Sequence, residues 1–160
     1  MKKISFIATS ILILGFAFLS STSTNTETPN ISPIQKKNLT RAGSGYGMRM
    51  HPIYKIKKLH TGMDFIANSG TNVLATADGK VVLVEKSITG RGNNITIKHA
   101  NNIKTSYCHL NEIKVTIGQQ VSQKDIIGTV GNTGASTGFH LHYEVEQDGA
   151  KVNPAKFIIY

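Results

Sequence analysis

Residues 139–146 alternate strictly between two kinds of side chain. Phe139, Leu141, Tyr143 and Val145 are apolar or aromatic, and His140, His142, Glu144 and Glu146 are polar. A period of two reads as a strand with one buried face. Successive strand side chains point to opposite faces, so His140 and His142 share one. β-rich runs recur at residues 72–75, 79–84 and 94–99, with short strands expected within 113–121 and over 126–130. Asp78-Gly79 and Gly90-Arg91-Gly92-Asn93-Asn94 supply turns between them. No stretch carries convincing amphipathic-helix periodicity. The pattern predicts an all-β fold, a compact antiparallel β-sheet domain.

The first residues follow another pattern. Met1-Lys2-Lys3 is basic, residues 4–19 form an apolar run of 16, and Ser20, Ser21, Thr22 and Ser23 are small. This reads as a secretory signal peptide over residues 1–23. The run is short of the ~20 residues that span a bilayer, and no cysteine stands there to carry a lipid. No later segment is long and apolar enough to cross a membrane, so no membrane span is expected after cleavage. Residues 24–40 are rich in Thr, Asn, Ser, Pro and Lys and read as a linker or disordered segment. The domain is expected over 41–160, large enough for one core.

Charge and cysteine content narrow the setting. The formal net charge is +9, and loss of Lys2 and Lys3 with the leader lowers it to +7. The lysines are scattered, apart from Lys55, Lys57 and Lys58. For an exported protein such charge points to an anionic cell envelope rather than nucleic acid. A single cysteine, Cys108, excludes an internal disulfide. Strand alternation places Cys108 inside and its neighbour His109 at the cleft, against a cysteine nucleophile.

Three short constellations carry the candidate chemistry. His60-Thr61-Gly62-Met63-Asp64 puts a histidine and a carboxylate four apart in an extended segment; Gly62 argues against a helix. Thr105, Tyr107 and His109 alternate on a second segment, and His140 and His142 lie on a third. Together they supply one carboxylate and four imidazoles. Catalytic zinc takes three such ligands and keeps a fourth position open, which leaves two histidines for proton transfer and charge stabilisation. His51 precedes Pro52 and is expected to be structural. His99 opens a polar turn and is expected at solvent. Arg49 suits either a substrate carboxylate or a packed ion pair.

In order and spacing these residues resemble the lysostaphin-type zinc endopeptidases, which cut peptidoglycan peptides. The matching elements are Tyr46-Gly47-Met48-Arg49-Met50-His51-Pro52-Ile53, His60-x-Gly62-x-Asp64, Tyr107-x-His109-Leu110, and Gly128-x-x-Gly131-x-Thr133-Gly134-x-Ser136-Thr137-Gly138-x-His140-x-His142. Val152-Asn153-Pro154 closes the match, which covers roughly residues 43–157. The resemblance implies one zinc ion on His60, Asp64 and His142, catalytic roles for His109 and His140, and a groove across the sheet. It also implies that Tyr54 helps bind the developing charge of the scissile carbonyl. The chain departs from the family at Phe139, where proline is common, and at Ser122-Gln123-Lys124, where glycine is common; neither touches an implied ligand. The expected function is exported, monomeric hydrolysis of peptidoglycan amides. The alternative is a non-catalytic relative that binds peptidoglycan or activates another hydrolase. Such relatives have lost metal ligands, and all three are present here.

Overall fold

The computed structural model describes residues 26–158, so the expected leader lies outside the described residues. Among the described residues, thirteen strands run in chain order as β1 (Leu39–Arg41), β2 (Gly47–Met50), β3 (Lys57–His60), β4 (Met63–Ala67), β5 (Asn72–Leu74), β6 (Gly79–Glu85), β7 (Asn94–Lys98), β8 (Ile103–Cys108), β9 (Leu110–Ile113), β10 (Gln120–Val121), β11 (Ile126–Val130), β12 (His140–Gln147) and β13 (Ala150–Val152). The largest sheet has the order β1-β4-β12-β8-β7-β6-β10, with β13 also paired to β12. β5, β11 and β9 form a second sheet, and β2 with β3 a separate hairpin. Every pairing is antiparallel, as the all-β reading predicted. Among the described residues, no helix is long and apolar enough to cross a membrane.

β12 is the axis of the molecule because it alternates so regularly. Leu141, Tyr143 and Val145 are fully buried. They pack in one core with Phe65, Ile95, Ile97, Tyr107, Leu110 and Ile127. Burying an aliphatic side chain of this kind contributes about 1.5–3 kcal/mol. The tyrosines keep their hydroxyls satisfied: Thr76 Oγ1 lies 3.0 Å from the Tyr107 hydroxyl and 2.9 Å from that of Tyr143. Residues directly opposite in an antiparallel ladder share a face. The pairs His142↔Asp64, His142↔Cys108 and Glu144↔Ser106 therefore define the other face of the sheet.

Three expectations are corrected here. The stretch read as a linker is ordered against the domain from residue 26. Pro29, Pro33 and Ile34 are buried, Leu74 N–H donates to Pro33 O at 2.9 Å, and Thr26 N–H donates to Asp78 Oδ2 at 3.1 Å. A polar composition hid three anchoring side chains. Second, β9 ends at Ile113 and β10 begins only at Gln120. A turn with Gly118 at φ +88° separates them, a conformation glycine adopts without penalty. Third, His99 is 5% exposed rather than solvated. Its Nδ1–H donates to the Asp78 carbonyl at 2.7 Å, and its Nε2 meets the Thr105 hydroxyl at 2.7 Å.

The buried His99 has a pH consequence. Burial lowers its pKa, outweighing the hydrogen bond to Asp78. The folded state thus keeps it neutral, while the unfolded chain takes up a proton near pH 6.5. Stability must fall as pH drops from about 6.5 towards the depressed folded value. We expect His99→Gln to be less stable than wild type at pH 7.5 by roughly 1–2 kcal/mol, with the gap narrowing at pH 5.5. Urea midpoints of both metal-free proteins at the two pH values check this. The difference between them cancels other titrating groups, and a constant gap would remove His99 as a source of acid sensitivity.

Candidate metal centre

The site stands on the polar face of β12, where β4, the β2–β3 hairpin and two loops meet. His60 ends β3 and Asp64 lies in β4, so Thr61 and Gly62 separate the two strands. A side chain at Gly62 would collide with Tyr143 O and the His142 ring, at 2.3 and 2.9 Å from the added carbon. The glycine lets the corner pass beneath His142. His60 Nε2 lies 3.1 Å from Asp64 Oδ1 and 3.0 Å from His142 Nδ1, and His142 Nδ1 lies 2.9 Å from Asp64 Oδ1. The three residues form a group able to hold a metal ion.

The outer nitrogens set the chemistry of the inner ones. His60 Nδ1 lies 2.7 Å from the Gly45 carbonyl, which can only accept, so Nδ1 carries the proton and Nε2 is bare. His142 Nε2 lies 3.3 Å from the Glu144 carboxylate, which leaves Nδ1 bare by the same reasoning. Two lone pairs and a carboxylate oxygen then converge with no donor between them. Ligands about 2.0–2.1 Å from a tetrahedral zinc stand roughly 3.3 Å apart. The observed triangle is slightly tighter and fits such an ion. Burial alone would raise Asp64, but its contacts with His142 and His60 outweigh it and hold it well below the usual carboxylate range. Burial likewise opposes charge on His142, yet Asp64 and Glu144 raise its proton affinity. The negative field that attracts a proton here attracts a cation equally.

His109 and His140 flank the triangle without joining it. Their ring centroids are 4.8 Å apart, and His109 lies 6.0 Å from His142. His140 Nε2 is 3.8 Å from Asp64 Oδ1. His109 Nδ1–H donates to Thr133 O at 2.7 Å, and His140 Nδ1–H donates to Gly138 O at 2.8 Å. Each therefore offers a bare Nε2. Burial pushes His109 down to about 4, against the pull of the Thr133 hydrogen bond, so it is neutral at pH 7.

His109 reaches the cleft for a reason different from the one expected. Strand alternation would send it after Tyr107 into the core. Instead it adopts φ +64° between β8 and β9, with its N–H donating to Arg91 O at 3.0 Å. Cys108 is on the polar face of the sheet, opposite His142, although fully buried. Burial pushes its thiol up to about 11 despite the adjacent Arg91, so it is inert.

The remaining candidates line the same cavity of about 680 Å³. Tyr54 is 58% exposed on the hairpin loop, its ring centroid 4.4 Å from that of His51. His51 Nδ1 accepts from Ile53 and Tyr54 N–H groups and so holds that turn. Arg49 pairs with Asp64 Oδ2 at 3.3 Å, the packed ion pair of the two alternatives. Sequence reasoning missed Glu144. It is 6% exposed, and its carboxylate meets His142, the Thr61 hydroxyl, Arg91 and Lys151. Its place two residues after His142 on one strand face was the available signal.

Comparison with known proteins gives the family and the fold. Over 125 residues the chain is 46% identical to the DD-carboxypeptidase/endopeptidase Mpg of Neisseria meningitidis, matching 78% of this chain and 28% of that protein. It is 44% identical over 108 residues to the peptidoglycan DD-endopeptidase ShyA of Vibrio cholerae, matching 68% of this chain and 25% of the relative. The chain thus spans about a quarter of the length of these relatives. The catalytic domain of lysostaphin from Staphylococcus simulans superposes with a TM-score of 0.66 at 34% identity, covering 73% of this chain and 90% of that domain. A zinc-containing peptidase from Vibrio cholerae gives 0.69 at 35% identity, over 80% and 39% of the two chains. Residues 58–154 match the profile of Peptidase family M23, and the chain belongs to that family of zinc-dependent metallopeptidases.

Proposed function

We propose that this chain is an exported endopeptidase that hydrolyses amide bonds in peptidoglycan stem peptides or cross-bridges. One observation carries the reading: His60 Nε2, Asp64 Oδ1 and His142 Nδ1 converge within 3.1 Å in a cavity flanked by the bare nitrogens of His109 and His140. The three converging residues would hold zinc, which when bound supplies Lewis acidity to a carbonyl and to water. One of His109 and His140 takes the proton from the attacking water or gives one to the leaving amine. The other, which must carry a proton on Nε2 as well as on Nδ1 for this step, donates it to the oxyanion, a task worth roughly two to three orders of magnitude in rate. Tyr54, on the hairpin wall, would contribute a further donor to the same oxygen. The names of the relatives make the D,D cross-link the first amide to test. A leader over residues 1–23 would place the activity at the envelope.

Digestion of purified peptidoglycan by the zinc-loaded protein, read by mass spectrometry, tests the proposal. Release of uncross-linked muropeptides with new amine termini is expected. Binding to every peptidoglycan chemotype with release from none would replace the hydrolase with a binding module.

Glu144 gives a graded test of the metal assignment. Burial would raise it, but contacts with His142 and Thr61 and the charge of Arg91 keep it ionised. It orients His142 by holding Nε2–H. Loss of such an outer partner lowers metal affinity by about 10–100-fold. Glu144→Gln should show that weakening in competition with a zinc chelator while keeping the wild-type circular dichroism. An unchanged zinc affinity would mean that His142 is held by packing alone.

A further inference from the structure

The cavity walls carry four cations, Arg41, Arg49, Lys58 and Arg91, against two carboxylates, Asp64 and Glu144. Both carboxylates lie at the buried floor, with 9% and 8% of their side chains exposed. They are also already committed: Asp64 pairs with Arg49, and Glu144 with Arg91 and Lys151. Arg41 and Lys58 remain. Both are exposed, and among the described residues neither has a carboxylate partner. Lys58 stands over the Tyr54 ring, its ammonium 5.8 Å from the ring centroid. Next to it His51 is held below its ordinary value, by burial and then by the charges of Lys58 and Arg49.

The surroundings fix where these two cations stand. Arg41 ends β1, paired with Ile66 of β4, two residues from Asp64 along that strand. Lys58 sits in β3 opposite Arg49, two residues before His60. Both therefore belong to the wall built from residues 40–60, adjacent to the metal-binding triangle. The loop on the other side, residues 135–139, contributes Ala135, Ser136, Thr137 and Phe139 and no charge. Arg91, beside that loop, is already paired with Glu144, so the cations left for a peptide in the groove are those of the 40–60 wall.

We propose that Arg41 and Lys58 select peptides bearing a free carboxylate beside the scissile amide over the same peptides with that carboxylate amidated. The inference rests on the endopeptidase reading and adds a substrate feature to it. Neither residue touches the reacting atoms. Each acts by pairing with substrate charge in a partly enclosed groove, where such pairs count for more than on an open surface.

The test uses two cross-linked peptides that differ only in one group, carboxylate or carboxamide. The zinc-loaded wild-type protein should cleave the acid with a kcat/KM about tenfold or more above the amide, and added salt should narrow the ratio. Arg41→Gln with Lys58→Gln should bring the ratio close to one by slowing the acid alone, with the amide held within about twofold. Equal cleavage of both peptides by wild type, or equal loss of both in the double variant, overturns the inference and leaves the endopeptidase reading standing. Cleavage of neither peptide sinks the reading for this bond. In that case the Kd values of fluorescent versions of the two peptides for zinc-loaded wild type decide the inference separately. A preference for the acid that the double variant lacks upholds it, and equal Kd values overturn it.

Discussion

His142→Ala should lose the zinc ion and all measurable hydrolysis together. Two of the three sides of the donor triangle end on His142 Nδ1, at 3.0 and 2.9 Å. Its removal leaves one imidazole and one carboxylate, a set too small for a lasting zinc site. Atomic absorption after gel filtration should find about one zinc per chain in wild type and almost none in the variant. Thermal melting adds a readout independent of activity. A ligand present at a thousand times its Kd stabilises a fold by about 4 kcal/mol, so chelator should lower the wild-type midpoint by several degrees and leave the variant's unchanged. One zinc per chain retained in His142→Ala would mean that the ion sits elsewhere.

The parts of this site that were legible in the sequence are those coded within a few residues. His140 and His142 share a face because a strand repeats every two residues, and β12 is regular over its whole length. His60 and Asp64 were read as one extended segment. They are in fact the end of one strand and the start of another, brought together by the corner at Gly62. The pairing was right while the local geometry was not. His109 shows the opposite limit. A single left-handed residue, φ +64°, reverses which neighbour faces the cleft, and strand alternation has no means of signalling it. For Glu144 only its place on the strand face of His142 was coded locally; its other partners Thr61, Arg91 and Lys151 come from three distant segments. His99 and Ile34 failed for a shared reason: polar neighbours in sequence say little about neighbours in space. The all-β class needed none of this, since it followed from periodicity summed over many strands.

His109→Ala and His140→Ala should separate chemistry from metal binding. Neither side chain belongs to the donor triangle, so both variants should keep one zinc per chain. Their turnover should fall by about two to four orders of magnitude, the usual span for losing a general acid–base group or an oxyanion donor. His109 needs a second variant, because its left-handed backbone could be disturbed by alanine. Asparagine is far more at ease in that region. His109→Asn should therefore match wild type in circular dichroism and zinc content while being as slow as His109→Ala. The double variant sharpens the argument. If the two imidazoles act on one transition state, their losses should combine to less than the product of the single effects. Wild-type turnover in either zinc-loaded single variant would remove that histidine from the reaction. A zinc-free His140→Ala would instead make His140 a ligand, and the role now given to its neighbour on the same strand face would have to be reassigned.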